Sequence, residues 1–289
     1  MSATERVLRR RRSSIQGSRL ARYAVTIVLA VIAILMFLPI YWLIVTSITE
    51  PEHAFSLPPE WFPLHITSAS YASSFDLIPF AVQIMNSIEV TTIVVIGQLL
   101  TSSLAAYAFA RLKFRGRDGL FTVFLVALMV PLQVTVIPIF ILMRTLGLLD
   151  TQVSLWLPVL LSVFGIFFLR QHFLSLPDEL EDAAKIDGAG HWRILFQILL
   201  PLSGPILAAL AIFSALVTWN DFFWPNIMIT SPDKMTVPVG LVFLQAGLSG
   251  APAVVVFAAI ATVTIPLLVL FLIAQESIMR GIALAGVSR

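Results

Sequence analysis

Six stretches of the chain are apolar at nearly every position: 23–48, 84–110, 119–143, 153–173, 203–226 and 253–275. A helix of about 20 apolar residues spans a hydrocarbon core and satisfies its own backbone, so the pattern predicts six transmembrane helices in an all-α integral membrane protein. Proline falls inside or beside most of these stretches (Pro39, Pro131, Pro138, Pro158, Pro205, Pro225, Pro266). Each frees a carbonyl and kinks its helix, which a membrane tolerates where neighbours or a cavity satisfy the backbone. The first stretch is too long for a signal-peptide core, and the "SITEPEH" after it offers no small-residue cleavage site, so it reads as an uncleaved anchor.

Composition agrees: 58% of residues are hydrophobic and 12% charged, against about 25% charged in soluble domains. There is no cysteine, which excludes disulfides and thiolate metal sites, and His53, His65, His172 and His191 show no ligand spacing. The sequence therefore predicts no metal site. Lys and Arg near helix ends are retained on the cytoplasmic side. Seven of the 18 precede the first stretch, four follow the second, Arg170, Lys185 and Arg193 lie between the fourth and fifth, and Arg280 and Arg289 follow the sixth; only Arg144 and Lys234 fall on the other side. Both termini are thus expected in the cytoplasm, with a basic segment at 1–22, a transmembrane domain at 23–275 and a tail at 276–289. The arginine-rich start is a topology signal with affinity for anionic lipid; nucleic-acid binding fits poorly because an apolar span follows at once.

Polar residues inside spans cost a few kcal/mol each and mark function: Asn86, Glu89, Gln98, Gln133, Asn220 and Asp221. Asn86, Glu89 and Thr92 share one helical face. The run "TWNDFFWP" (Thr218 to Pro225) has two readings. Trp219, Asn220 and Asp221 offer an aromatic face and planar hydrogen-bonding groups suited to a sugar ring; alternatively Asn220 and Asp221 cap or bridge helices and the tryptophans form an interfacial belt. The long outer loops, 49–83 with "LPPEWFPLH" and 227–252 with "TSPDKMTVPVG", read either as surface turns or as a docking surface for an extracellular partner. None of the three lysines lies in a GxxxxGK[ST] loop and no HExxH or GxSxG occurs, so ATP binding and enzymatic activity are not expected of the chain. Work against a gradient then needs another subunit or an ion.

Five of the 16 acids (Asp178, Glu179, Glu181, Asp182, Asp187) crowd the stretch "PDELEDAAKIDGAGHWRILF", Pro177 to Phe196. The pattern predicts a short capped helix outside the bilayer: Ser175 as N-cap, Pro177 in the first turn, acids at the start where the dipole favours them, and Lys185 four residues after Glu181. Gly188 and Gly190 end it. Leu176, Leu180, Ala183 or Ala184, and Asp187 lie on one face, and the alanines permit close approach to another surface.

This stretch resembles the cytoplasmic EAA loop (175–200) of ATP-binding-cassette importer permeases, through Asp182-Ala183-Ala184, Asp187-Gly188-Ala189, Phe196 and Leu200-Pro201. The chain departs at Asp182, where the pattern has glutamate, with Glu181 just before it. "NSI" at 86–88, "AAYAFARLKFRGR" at 105–117, "VPLQVTVIP" at 130–138, "WNDFFWP" at 219–225 and "RGIALAGV" at 280–287 extend the likeness to the carbohydrate-uptake, maltose MalG-like permeases. The resemblance implies a type I importer (MetI-like) fold in a bacterial or archaeal cytoplasmic membrane and import of a di- or oligosaccharide. It also implies a second related permease, two copies of an ABC ATPase holding the ATP and Mg, and an extracellular solute-binding protein. Glu181, Asp182, Ala183, Ala184, Asp187, Gly188 and Ala189 would form the coupling helix, and Asn86, Gln133, Trp219, Asn220 and Asp221 would lie along the solute path. The alternatives are a permease for a sugar-like solute such as glycerol phosphate or a polyol, and an ion-coupled secondary transporter suggested by Glu89 and Asp221.

Overall fold

The computed structural model describes residues 3–246 and 250–286; Met1, Ser2 and Val287 to Arg289, parts of the expected N-terminal segment and tail, lie outside the described residues. Two compact units are distinguished, Met1–Tyr71 with Pro252–Ala261, and Ala72–Ala251 with Thr262–Arg289.

In the first unit, helix α1 (Ala3–Ile48) runs unbroken from the basic segment into the first apolar stretch, and its part Ala21–Ile48 is long and apolar enough to cross a membrane. Apolar side chains such as Tyr23, Ile27, Leu35 and Phe37 stand exposed along it, a surface that requires lipid or another chain around it. Past α1 the chain doubles back. Thr49 and Ile66 form an isolated antiparallel bridge, flanked by Glu50 N–H to His65 C=O (3.1 Å) and Thr67 N–H to Ile48 C=O (2.8 Å). Tyr41 donates its hydroxyl to the Trp61 carbonyl (2.5 Å), and Trp42 meets Trp61 edge-on.

Helix α2 (Ala69–Leu77) leads into the second unit, whose axis is α3 (Phe80–Arg111), also long enough to cross a membrane. The remaining helices are α4 (Arg117–Ala127), α5 (Leu132–Thr145), α6 (Val153–Trp156), α7 (Val163–Ser175), α8 (Glu179–Ile186), α9 (His191–Ile194), α10 (Leu200–Leu202), α11 (Gly204–Trp219), α12 (Phe223–Met228), α13 (Val237–Gln245) and α14 (Ala253–Gly286). Three of the stretches expected as single spans are broken. The 119–143 stretch bends by 97° between α4 and α5, with Pro131 at the N-cap of α5. The 153–173 stretch bends by 40° between Val159 and Val163, and 203–226 ends at Trp219 before restarting as α12. A third bend, of 80°, lies between His191–Leu202 and Gly204–Trp219, and counting each bent pair as one span gives up to five candidates among the described residues, beside the shorter apolar helix Ala253–Val269.

Residues of α3 satisfy one of these breaks. Gln98 donates to the Val159 carbonyl (2.8 Å) and accepts from Ser214 Oγ on α11 (2.7 Å), while Thr101 donates to the Leu160 carbonyl (2.8 Å). The carbonyls released where the helix stops are thereby hydrogen-bonded away from water, the condition for broken helices at membrane depth. Close approach is permitted by two glycines: a Cβ on Gly97 would strike the Leu160 side chain, and one on Gly165 would strike Ser102. Gln98, notable in the sequence as a polar residue deep in a span, is thus the strut that ties α3 to the break ahead of α7 and to α11.

Candidate functional site

The acidic island forms α8, but its start differs from the expected capping box. Ser175 is the last residue of α7, with its hydroxyl turned back to the His172 carbonyl (2.7 Å), and Asp178 occupies the N-cap position without capping. The reason is Arg111, the buried final residue of α3. Its guanidinium takes the Asp178 carboxylate, donates to the C-terminal carbonyls of Phe173 and Leu176 (both 2.6 Å), and lies 3.3 Å from Glu181 Oε1. A planar fork of five donors suits this many acceptors at once, and a cation complements the negative end of α7.

The other end of α8 follows the sequence closely. Gly188 adopts φ +76°, its N–H reaches the Lys185 carbonyl (3.0 Å), and the Ala189 N–H reaches Ala184 C=O (2.9 Å). This is a Schellman motif, which needs a residue free to enter the left-handed region. Gly188 alone ends the helix; Gly190 is the extended residue that starts α9. Downstream, Leu195–Leu199 widen into a π-helical turn before Pro201. Proline lacks the N–H to continue the ladder and crowds the carbonyl four residues back, so the turn opens.

Burial divides the island into two edges. Glu181 and Ala184 face inward, Ala184 in a core with Ala106, Tyr107, Leu169, Phe173, Ile194 and Leu199. Glu181 is held between Arg111 and Lys185 Nζ (3.4 Å), so its carboxylate is committed inside the chain. Leu180, Asp182, Ala183, Ile186 and Asp187 are exposed. Ile186, with 86% of its surface open, is an unexpected member of this edge, since its position one residue past Lys185 hid it from the face counted along the sequence. The two alanines therefore serve opposite sides: Ala184 packs within, Ala183 looks out. Tyr107 and His191 add a second tie beneath the island, hydroxyl to Nδ1 at 3.0 Å.

The residues expected along a solute path do not form one cluster. Asn86 uses its amide on the carbonyls of Asp233 (2.9 Å) and Met235 (3.0 Å), Gln133 is exposed, and Asn220 donates to Leu216 within its own helix (2.8 Å). Asp221 accepts from the Trp224 N–H (3.2 Å), capping α12, and Trp224 Nε1 reaches the Ser154 carbonyl (2.9 Å). Asp221 thus ties down the start of α12, and Trp219 and Trp224 are buried rather than set in an interfacial belt. Asp221 also borders a cavity of about 160 Å³, together with Ser87, Thr91, Gln98, Thr218 and Thr236. Among the five expected residues it is the one on this lining. Sequence reasoning gave no role to Ser87, Thr91 and Thr236, whose hydroxyls are common in membrane helices and give no signal singly.

Away from α8, loop 227–252 is tied down by Asp150, a non-glycine residue at φ 55°. Its carboxylate accepts from Thr230 N–H (2.9 Å), Ser231 N–H (2.9 Å) and Ser231 Oγ (2.5 Å), with Lys234 Nζ at 3.2 Å. Burial opposes its ionisation, but the donors of Ser231, Thr230 and Lys234 outweigh this and hold the carboxyl well below the usual carboxylate range.

Apolar helices whose breaks are hydrogen-bonded by a neighbouring helix are the build of a membrane transport subunit rather than of an enzyme. Residues 98–283 match the family of binding-protein-dependent transport system inner membrane components, and the chain belongs to that family. It is 38% identical over 202 residues to the arabinooligosaccharides transport system permease protein AraQ of Halalkalibacterium halodurans, covering 70% of this chain and 72% of that one. It is 33% identical over 266 residues to the sn-glycerol-3-phosphate transport system permease protein UgpE of Yersinia pestis bv. Antiqua, covering 89% and 94%. Its structure matches, with a TM-score of 0.78 and 25% identity, a chain of a bacterial ABC transporter involved in the import of the acidic polysaccharide alginate, covering 90% of this chain and 97% of that one. The fold is the all-helical MetI-like fold of ABC importer permeases, and the family implies a binding protein and an ATPase as partners.

Proposed function

We propose that the chain is one of two related permease subunits that import a di- or oligosaccharide, and that α8 is its coupling helix. The supporting observation is the division of α8: one edge is locked to α3 and α7 through Arg111, while the edge with Asp182, Ala183, Ile186 and Asp187 is exposed, Asp182 meeting only Lys185 Nζ of the same helix at 3.6 Å among its ion pairs. A lever needs both. Motion of an ATPase against the free edge passes into α3 without loss in a flexible joint, and Asp182 in place of the family's glutamate makes the outside contact because Glu181 is taken. In this reading six spans cross a cytoplasmic membrane with both termini inside, α1 and α14 supplying the first and last.

The cavity supports a neutral polyhydroxylated solute. Its polar lining is hydroxyls, one amide and one carboxylate, with no Lys or Arg to receive a phosphate. At about 160 Å³ it is below the roughly 300–1,000 Å³ of self-sufficient small-molecule sites. A second permease would complete the path, meeting this chain along the exposed Glu89 and Thr92 of α3. The similarity to UgpE favours a second reading, glycerol phosphate, in which the partner permease supplies the basic groups.

The test is Asp182→Lys in the complex reconstituted with its ATPase and binding protein. Uptake and binding-protein-stimulated hydrolysis are expected to fall at least ~10-fold, consistent with a like-charge or lost contact of about 1.4 kcal/mol or more, while insertion persists. Wild-type values of both would sink the coupling assignment. Uptake of a labelled sugar panel against glycerol phosphate decides between the two solute readings.

A further inference from the structure

We propose that Glu50, His53 and His65 form a site for a borderline divalent cation of the zinc type at the end of α1. One ligand atom from each lies within 4.8 Å of the others. In sequence the histidines are far apart and unspaced for a ligand set; the antiparallel bridge between Thr49 and Ile66 brings them together. Glu50 N–H is bonded to the His65 carbonyl, and His53 N–H to the Glu50 carbonyl (3.0 Å), so all three positions are fixed through backbone. The imidazoles lie parallel, with ring centroids 4.1 Å apart and planes at 16°.

Two further observations favour a cation here. No Lys or Arg occurs between Arg22 and Arg111, whereas this loop carries Glu50, Glu52 and Glu60. Glu60 Oε1 lies 3.8 Å from His53 Nδ1, and its second oxygen is sealed from solvent without a donor. A carboxylate beside a ligating imidazole is the arrangement that fixes ring orientation and raises basicity. Two histidines and one glutamate also make a known tetrahedral donor set that leaves a fourth position open. With zinc bonds of about 2.0–2.1 Å, tetrahedral donors stand roughly 3.3 Å apart; because the ion must lie in the plane of each ligating ring, one imidazole has to turn out of the stack to close the site. The bound ion would clamp the returning loop to the end of α1.

The experiment uses the full chain in nanodiscs, free of any polyhistidine tag, titrated with Zn²⁺ by calorimetry and with Co²⁺ by its visible ligand-field absorption. One equivalent is expected to bind, with the Co²⁺ band bleached by Zn²⁺. His53→Ala and His65→Ala should each weaken binding more than ~100-fold, beyond the 10–100-fold typical of orienting groups, and Glu60→Gln about 10-fold. His172→Ala and His191→Ala should leave it unchanged. The proposal is overturned if the wild-type chain takes up no ion, or if the His53→Ala and His65→Ala variants bind as it does. Should either variant fail to insert, Glu50→Gln and the EDTA-reversible rise of the wild-type unfolding temperature with Zn²⁺ decide in its place; no weakening, or no rise, counts against the site.

Discussion

At its last residue α3 carries a buried guanidinium that gathers carbonyls and carboxylates from α7, the following turn and α8. In its first turns it carries neutral groups: Gln83 donates to the Pro232 carbonyl (3.0 Å), Asn86 to Asp233 and Met235, and Ser87 Oγ accepts the Val237 N–H (2.8 Å). Both ends therefore grip a loop through its backbone, but only the Arg111 end does so with a charged side chain. There Asp182 and Asp187 remain exposed, whereas at the other end the nearby Asp150 carboxylate is saturated by Ser231, Thr230 and Lys234. The difference separates a joint made to present a surface from one made to close a loop.

The comparison breaks most severely at Arg111. Removing one partner of a buried ion pair strands the other, so Arg111→Ala should lower unfolding stability by roughly 3–5 kcal/mol, read by denaturant unfolding in a bilayer mimic. Arg111→Lys should recover only part, since an ammonium cannot fork across two carbonyls and two carboxylates. If Arg111→Ala unfolds like the wild type, α8 has another anchor. At the opposite end, a Cβ on Gly240 would run into the buried amide of Gln83, which is held by Pro232. Gly240→Ala should therefore cost about 1–3 kcal/mol by overpacking; a neutral result in the same unfolding assay would mean that this grip is loose.

A smaller loss is expected where "WNDFFWP" restarts as a helix. Asp221→Ala removes the acceptor of the Trp224 N–H and should cost about 1 kcal/mol, the usual value of a cap. Uptake that falls far more than stability does would instead give Asp221 a direct part in the solute path. The smallest effect concerns Asp150 and acts through pH. Its folded-state carboxyl is depressed, so its contribution is complete above the ordinary carboxylate range near pH ~4 and is lost as the pH falls from there through the depressed value. The difference in melting temperature between wild type and Asp150→Asn should be largest at neutral pH and shrink on acidification. A constant difference between pH 7 and pH 3 would contradict the linkage.

Much of the α8 region was legible because its signals are local. Acids at one end, Lys185 near the other and a Gly188 that must enter the left-handed region act within one or two turns, and the helix that forms has those ends. Ser175 was misjudged as a cap because the group that redirects Asp178 is Arg111, 67 residues away. The same holds for Glu181 and Asp182: adjacent acids look interchangeable until burial assigns one to the inside and one to the outside. In the spans, prolines marked where bends were allowed, but the 97° turn at 128–131 depends on what the two pieces pack against. Asn86 looked like a pathway residue by its helical face, and a loop almost 150 residues later took its amide.

By itself the sequence determined the membrane class, the absence of an ATP-binding loop, the short acidic helix closed by Gly188 and the family resemblance, since hydropathy, short motifs and helix termini act over a few residues. Only the tertiary structure decided which edge of α8 is free, which hydroxyls border the cavity and that Glu50, His53 and His65 meet. Those are matters of long-range contact, in which a side chain's role is set by the partner the fold delivers to it.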